Sequence, residues 1–353
     1  MLKSNPTSYV PRLTSNVPKV MLSVICPIYN EEKHIEACIQ SVIAQDWPKD
    51  ELEVLFVDGM SGDRTREIVA EYCRQYPFIR LLDNPQRIVP TGLNIGIRAA
   101  KGDVILRLDA HAKYPMDYFS VLVSKLEESG ADNVGGVCRT LPAQDTPVCR
   151  AIAHAMSSPF GMGNSHFRIG ADKEMWVDTV PFGCFRREIF DKIGYFDEEL
   201  VRNQDDEFNG RIIRHGGKIR LLPQVVTDYF ARSSINKTAK MFYQYGLFKP
   251  LVNKKLQKPA TLRQFFPPIF VAGILIGGLV CLFSRIIRWI YLSVLVLYLL
   301  MAILAGLRCT RRWPDILWMP VVFAAIHVSY GCGYWVGFLK LLTNSGFSAQ
   351  SNH

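Results

Sequence analysis

The stretch VILRLDAHAKYP, residues 104–115, is an apolar run that stops abruptly on Asp109, Ala110 and His111. Packing alone gives a buried strand no reason to end on an acid and an imidazole two residues apart. Upstream, VMLSVICPIYN (20–30), LEVLFVDG (52–59) and IRLLDN (79–84) are further β-type runs, the first continuous enough to be a strand buried on both faces. Between them lie helical patterns. Asn30 is placed to cap a helix with Ile35, Cys38, Ile39, Val42 and Ile43 on its apolar face, DRTREIVAEYCRQY (63–76) is a second helix, and a third enters at Pro90. Alternating strand and helix predict a Rossmann-like βαβ series around a parallel sheet, and such sheets bind ligands beyond the carboxyl ends of their strands. The residues at those ends are Tyr29, Asn30 and Glu31, then Asp58, then Asp109 and His111.

These residues limit the chemistry. No GxGxxG follows the first strand and no GxxxxGK[ST] occurs, which argues against dinucleotide oxidoreductases and P-loop NTPases. The strand ends offer an aromatic face for a base, acids for a nucleoside, and a carboxylate with an imidazole at i and i+2, which an extended or turn segment can aim the same way. Carboxylate oxygen and imidazole nitrogen make a partial shell for Mn²⁺ or Mg²⁺, with phosphate oxygens to complete it. A metal–diphosphate at this point would explain why the strand stops there.

The remainder of the chain changes solvent. Its 353 residues carry a formal net charge of +9. No acidic residue occurs between Asp228 and Asp315, while Arg232, Lys237, Lys240, Lys249, Lys254, Lys255, Lys258 and Arg263 accumulate. Three apolar stretches follow, at 267–284, 286–307 and 315–339, each near the ~20 residues that cross a bilayer as helix. The basic run before the first, with Arg308, Arg311 and Arg312 after the second, outweighs Arg285, Arg288 and Lys340. Positive-inside then keeps the large N-terminal domain cytoplasmic and exports the C-terminus. Residues 1–20 lack the apolar core of a signal peptide, and nine cysteines without CxxC pairs suit reduced thiols rather than zinc. No nucleic-acid partner is expected.

Four segments in order, SVICPIYNEEKHIEACIQSVIAQ, EVLFVDGMSGDRT, GLNIGIRAAKGDVILRLDAH and NQDDEFNGRI, resemble the successive motifs of family 2 glycosyltransferases, and are similar above all to membrane-attached enzymes of the succinoglycan-type exopolysaccharide glucosyltransferase group. The resemblance implies an α/β GT-A fold, a Rossmann-like mixed sheet with helices on both faces, followed by C-terminal transmembrane helices. It implies sugar transfer from a nucleotide diphosphate donor, UDP-linked as a rule, with inversion. Carried over by motif, Pro27, Tyr29 and Glu31 flank the uridine, Asp58 contacts the base, Asp109 with His111 holds Mn²⁺ or Mg²⁺ and the diphosphate, and Asp205 is the base that deprotonates the acceptor. The sequence departs from the common pattern at His111, at DGMS (58–61), where only Asp58 remains of an acidic pair, and at Gln204-Asp205. Spacing sets Asp205, Glu207 and Arg211 in register, with Asp206 as the alternative base; the bland reading of 205–207 is a helix start that favours acids.

TVPFGCFRREIFDKIGYFDEEL (179–200) resembles the family's acceptor-side strand and helix, with Gly183 and Cys184 lining the cleft. SSPFGMGNSHFRIG (157–170) is expected as a mobile loop over the site or an inert connector. SSINKTAKMFYQYGLFKPLVNKK (233–255) is expected as an amphipathic helix on the bilayer surface, from which Arg232, Lys240 or Lys249 also grips the pyrophosphate of a lipid-linked acceptor. The expected organisation is an extension (1–19), a catalytic domain (20–232), the interfacial helix and basic linker (233–264), three transmembrane helices (265–341) and a tail (342–353). The expected function is extension of a polyprenyl-diphosphate-linked glycan at the inner membrane in cell-surface polysaccharide synthesis, with nucleotide sugar, lipid acceptor and membrane lipids as partners. Transfer to polyprenyl phosphate and a non-catalytic nucleotide-sugar sensor are the alternatives; three spans without QxxRW argue against a processive synthase.

Overall fold

A computed structural model describes residues 20–347 except 111, 113 and 260. His111, the extension and part of the tail therefore lie outside the described residues.

The predicted strands form as β1 (Leu22–Ile28), β2 (Leu52–Asp58), β3 (Ile79–Asp83) and β4 (Val104–Arg107), followed by β5 (Asn133–Leu141), β6 (Met175–Trp176), β7 (Cys184–Arg186) and β8 (Ile219–Phe230). They make one eight-stranded sheet in the order β3-β2-β1-β4-β7-β5-β8-β6, parallel except for β7 and β6. Alternate side chains of β1 and β2 supply two cores. Leu22, Val24, Cys26, Val54 and Phe56 meet α1 (Ile35–Ile43), α2 (Thr65–Gln75) and α4 (Tyr118–Ser129) on one face. Ile25, Leu55 and Val57 meet α3 (Val89–Ala99), α8 (Glu188–Ile193) and α9 (Gln204–Arg214) on the other. The expected apolar face of α1 is buried at Ile35, Cys38, Ile39 and Val42. Asn30 does not cap that helix. It holds φ +53°, its Oδ1 accepts from Gly62 N at 2.9 Å, and it ties the end of β1 to the turn after β2.

The chain continues through α5 (Pro147–Met156), the short α6 (Pro159–Met162) and α7 (His166–Ile169), then, after β8, α10 (Ile235–Leu256), α11 (Phe266–Val280), α12 (Arg285–Cys309) and α13 (Trp313–Leu342). Among the described residues three helical segments are long and apolar enough to cross a membrane: Leu262–Val280, Arg285–Cys309 and Trp313–Leu342.

Two expectations change here. Segment 157–170 is not an open loop: Phe160 packs on Phe323 and His327 of α13 and Tyr298 of α12, and His327 Nε2 donates to Phe160 O at 2.9 Å. Likewise α10 is not a helix resting on the bilayer by one face. It is enclosed by the domain and α13, because glycines remove the separation that side chains enforce. A Cβ at Gly246 would stand 2.1 Å from Tyr330 O, one at Gly333 2.1 Å from Tyr243 O, and one at Gly337 2.1 Å from Leu247 O.

Candidate functional site

In the sheet order, β1 connects outward to β2 and β3 on one side while β4 lies on its other side, so the crevice at the carboxyl ends opens between β1 and β4. β4 stops because its partners run out. Arg107 N donates to Gly183 O at 3.0 Å and Leu108 N to Ile25 O at 2.9 Å; the next backbone groups turn to a side chain. The buried Tyr114 hydroxyl accepts from Asp109 N at 2.8 Å and donates to Asp109 O at 3.1 Å. Burial first, with Tyr118 and Asp109 adding, raises the Tyr114 phenol well above its usual range, so it stays a neutral clamp. Asp109 stands on the cavity wall.

That cavity has a volume of about 1890 Å³. Pro27, Tyr29, Glu31, Asp109, Asp205, Asp206, Arg232 and Lys249, all expected in the site, line it. Asp205 and Asp206 stand in the first turn of α9, whose dipole favours carboxylates there; Asn203 takes a left-handed φ of +62° to turn the chain into it. Both acids are paired. Arg107 Nη1 donates to Asp205, and Lys249 Nζ to Asp206 at 2.7 Å. Burial pulls the Arg107 guanidinium down, but the charge and hydrogen bond of Asp205 more than offset it and hold Arg107 above its ordinary value. The register read from the sequence is met lower on the helix. Glu207, buried, binds Arg211 at 2.6 and 2.9 Å, and Arg211 also donates to Ile193 O and Tyr195 O. Burial pushes the Glu207 carboxyl up despite Arg211. Glu207 thus anchors α9 and leaves Asp205 and Asp206 to the cavity.

Three expected contacts are placed elsewhere. Asp58 is fully buried and is not on the cavity wall. Its oxygens accept from Ser61 N at 3.0 Å, Ser61 Oγ at 2.5 Å and Arg66 Nη1 at 2.6 Å, while its neighbours Val57 and Gly59 form the wall. Gly183 and Cys184 do not line the cavity either. Cys184 is buried in β7 between Leu106 and Val134, and a Cβ at Gly183 would stand 2.4 Å from the Phe185 ring: this interior strand faces its neighbours on both sides.

Sequence reasoning missed Arg107, Tyr114, Arg168 and Arg202. The only signal for Arg107 was a cation inside an apolar strand. Of the expected metal pair, Asp109 is the described member, and no group of three His, Cys, Asp or Glu side chains suited to a metal occurs among the described residues. A single hard oxygen donor beside an open cavity fits an ion whose shell is completed by the oxygens of a bound diphosphate, not one the protein encloses.

The far wall of the cavity is apolar, formed by Phe270, Gly273, Ile274 and Gly277 of α11, Ile290 and Val294 of α12 and Ile326 of α13. One cavity therefore joins strand-end acids to the lipid-type helices.

Residues 23–194 match the sequence model of glycosyl transferase family 2. The chain is 28% identical over 327 residues to a dolichyl N-acetyl-alpha-D-glucosaminyl phosphate 3-beta-D-2,3-diacetamido-2,3-dideoxy-beta-D-glucuronosyltransferase of Methanococcus voltae, covering 90% of this chain and 97% of the relative. It is 28% identical over 316 residues to the succinoglycan biosynthesis protein ExoA of Rhizobium meliloti, covering 88% and 93%. Among solved structures, a mannosyltransferase from Pyrobaculum calidifontis in complex with GDP-Man and Mn2+ is similar in fold, with a TM-score of 0.55 and 20% identity over 88% of this chain and 87% of that one.

Proposed function

The chain is a family 2 glycosyltransferase, and from that premise we propose that it transfers a sugar, with inversion, from a UDP-linked donor to a polyprenyl-diphosphate-linked glycan at the cytoplasmic face of the inner membrane. The observation that carries this reading is the single cavity with Tyr29, Glu31 and Asp109 at one end, Asp205 on its wall and lipid-type helices at the other end. The relative from Methanococcus voltae is named for a sugar carried on dolichyl phosphate, and ExoA for succinoglycan synthesis, which supports a lipid-borne acceptor and a polysaccharide product.

In this reading Pro27, Tyr29 and Glu31 hold the nucleoside, and Asp58 acts at one remove, by fixing the 59–61 turn beneath it. Gly59 makes that coupling close, since a Cβ there would lie 3.2 Å from Tyr29 Cδ2. Asp109, with His111, would hold Mn²⁺ or Mg²⁺, which when bound offsets charge on the leaving diphosphate. Asp205 accepts the proton of the attacking hydroxyl. Arg107 bonds the carboxylate that must do so, so that carboxylate is oriented before the acceptor arrives.

The test is Asp205→Asn in the full chain, in membranes given nucleotide sugars, Mn²⁺ or Mg²⁺ and a lipid extract. Release of nucleoside diphosphate falls by about 10²- to 10⁴-fold with nucleotide affinity unchanged; turnover at the parental rate removes Asp205 from the reaction. The mass of the lipid product separates extension of a linked glycan from direct transfer to polyprenyl phosphate.

A further inference from the structure

Cations crowd the middle of the cavity, and they are not equally satisfied. Arg107, Lys249 and Arg263 each hold a carboxylate, on Asp205, Asp206 and Asp178. Arg168, Arg202 and Arg232 line the same cavity and carry no salt bridge among the described residues. The three meet around Tyr229 and Tyr245. Arg168 lies 4.5 Å over the Tyr229 ring with its Nη1 buried and without a hydrogen-bond partner, and all three act electrostatically on Tyr245. Arg202 Nε reaches Gln244 Oε1 at 3.1 Å; burial, and the charge of Arg232 beside it, pull this guanidinium below its ordinary value. Like charges gathered half-buried on one wall without counterions are costly, so the site is built for an anion that arrives.

The anion's chemistry follows from what adjoins it. Asp205 is on one side, and on the other begins the apolar trough of α11 and α12, whose lining runs from Phe266 to Gly277 through about 16 Å of helical rise. At Gly273 the trough is open, with nothing within 4 Å of where a Cβ would stand. A free phosphate would use only the arginines, and a fatty chain only the trough. Resting on the function proposed above, we propose that Arg168, Arg202 and Arg232 cradle the phosphate of a polyprenyl-type lipid acceptor whose chain lies in the α11–α12 trough. Lys249, expected from the sequence to grip this group, is engaged by Asp206 instead.

The test uses the full chain in nanodiscs without donor. Binding of farnesyl diphosphate, farnesyl phosphate, farnesol and inorganic pyrophosphate is read by displacement of a fluorescent farnesyl diphosphate. Arg168→Gln, Arg202→Gln and Arg232→Gln weaken both phosphorylated lipids by about tenfold or more, leave farnesol unchanged and keep UDP binding, while pyrophosphate binds far more weakly than farnesyl diphosphate. Gly273→Phe, on the lipid side, weakens farnesyl diphosphate and spares pyrophosphate. Parental binding of farnesyl diphosphate by the Gln variants or by Gly273→Phe, an equal loss for farnesol, or pyrophosphate binding as tightly as the lipid overturns the proposal. Binding of prenyl phosphates without any release of nucleoside diphosphate would overturn the transferase reading and leave the cradle standing.

A second inference rests on different contacts. Asp315 in the first turn of α13 receives Arg150 of α5 through Nε and Nη2 at 2.9–3.1 Å, and is fully buried. Met319, Val322, Phe323 and Ile326 pack with α5, Gly333 and Gly337 touch the α10 backbone, and Leu341 and Phe347 join the cluster of Leu200, Phe248 and Leu251. α10 is in turn tied to the domain by Lys249–Asp206 and Lys255–Asp197. Both ends of α13 thus rest on the catalytic domain although Asp315 and Leu341 are about 39 Å apart along the helix, more than the ~30 Å of a hydrocarbon core. A spanning helix would carry one end away. The opposite face exposes Trp313, Leu317, Val321, Trp335 and Leu339.

We infer that α13 lies in the membrane interface beneath the domain and that α11 and α12 alone cross, as a hairpin with Arg285 and Arg288 at its far tip. This reverses the export of the C-terminus expected from loop charges. Epitope tags behind residue 347, between residues 283 and 284, and in the domain are digested from either side of sealed vesicles. The C-terminal and domain tags are cut from one side and the hairpin tag from the other; a C-terminal tag cut together with the hairpin tag overturns the inference.

Discussion

Asp58, at the end of β2, is buried behind the cavity wall and not on it. Asp58 was legible as a functional acid because it ends a buried strand, but its hydrogen bonds were not, since they depend on Ser61 and Arg66 returning to it through a turn and a helix. Asp58→Asn weakens one charged pair and loosens the turn under Tyr29. Its stability falls by about 1–3 kcal/mol, and UDP binds more weakly while the rate at saturating donor changes little. Thermal melting with and without UDP checks this; an unchanged melt and unchanged affinity would mean the turn stands without the acid. Arg168 and Arg202 were illegible for the opposite reason. Each is a lone arginine in a polar stretch, and only the fold brings them to Arg232.

At the scale of elements, hydrophobic period located β1 to β4 and α1 to α3, because each must bury one or two faces of known spacing, and left α4, α5, β5 and β8 unassigned. It misjudged α10. Lysines beside an apolar stripe read as a helix facing headgroups, yet Lys249 and Lys255 bind acids of the domain, and the stripe meets another helix. The discriminating signal was the glycines. Gly246, Gly333 and Gly337 are spaced for helix crossing, which apolar counting does not weigh. Gly337→Ala sets a methyl group against the Leu247 carbonyl and forces α13 off α10. The cost is about 1–3 kcal/mol, read as a lower melting temperature and faster proteolysis at the α10–α13 junction. Gly273→Ala, where there is room, is the control and leaves melting unchanged.

For the molecule as a whole, the joint between catalytic domain and lipid-type helices holds a titratable histidine. His154 on α5 is held below its ordinary value by burial, opposed by Asp315 and reinforced by Arg150 and Arg312. A group with a depressed folded value contributes its full stability above its unfolded value, about 6.5, and loses it as pH falls through the folded one. Melting temperature in detergent therefore drops as pH falls below about 6.5, and His154→Gln flattens that limb without changing the plateau at higher pH. An identical slope in the variant assigns the limb to other groups.

With α11 and α12 in a bilayer, as proposed, the open flank of the cavity would also set the dimensionality of encounter. On the function proposed above, donor would arrive from three-dimensional solution through the strand ends, whereas a lipid acceptor entering past Gly273 would come by diffusion in a plane. Half-saturation for such a reactant is then a mole fraction of the bilayer, and adding inert phospholipid at fixed total acceptor slows turnover as though acceptor had been removed.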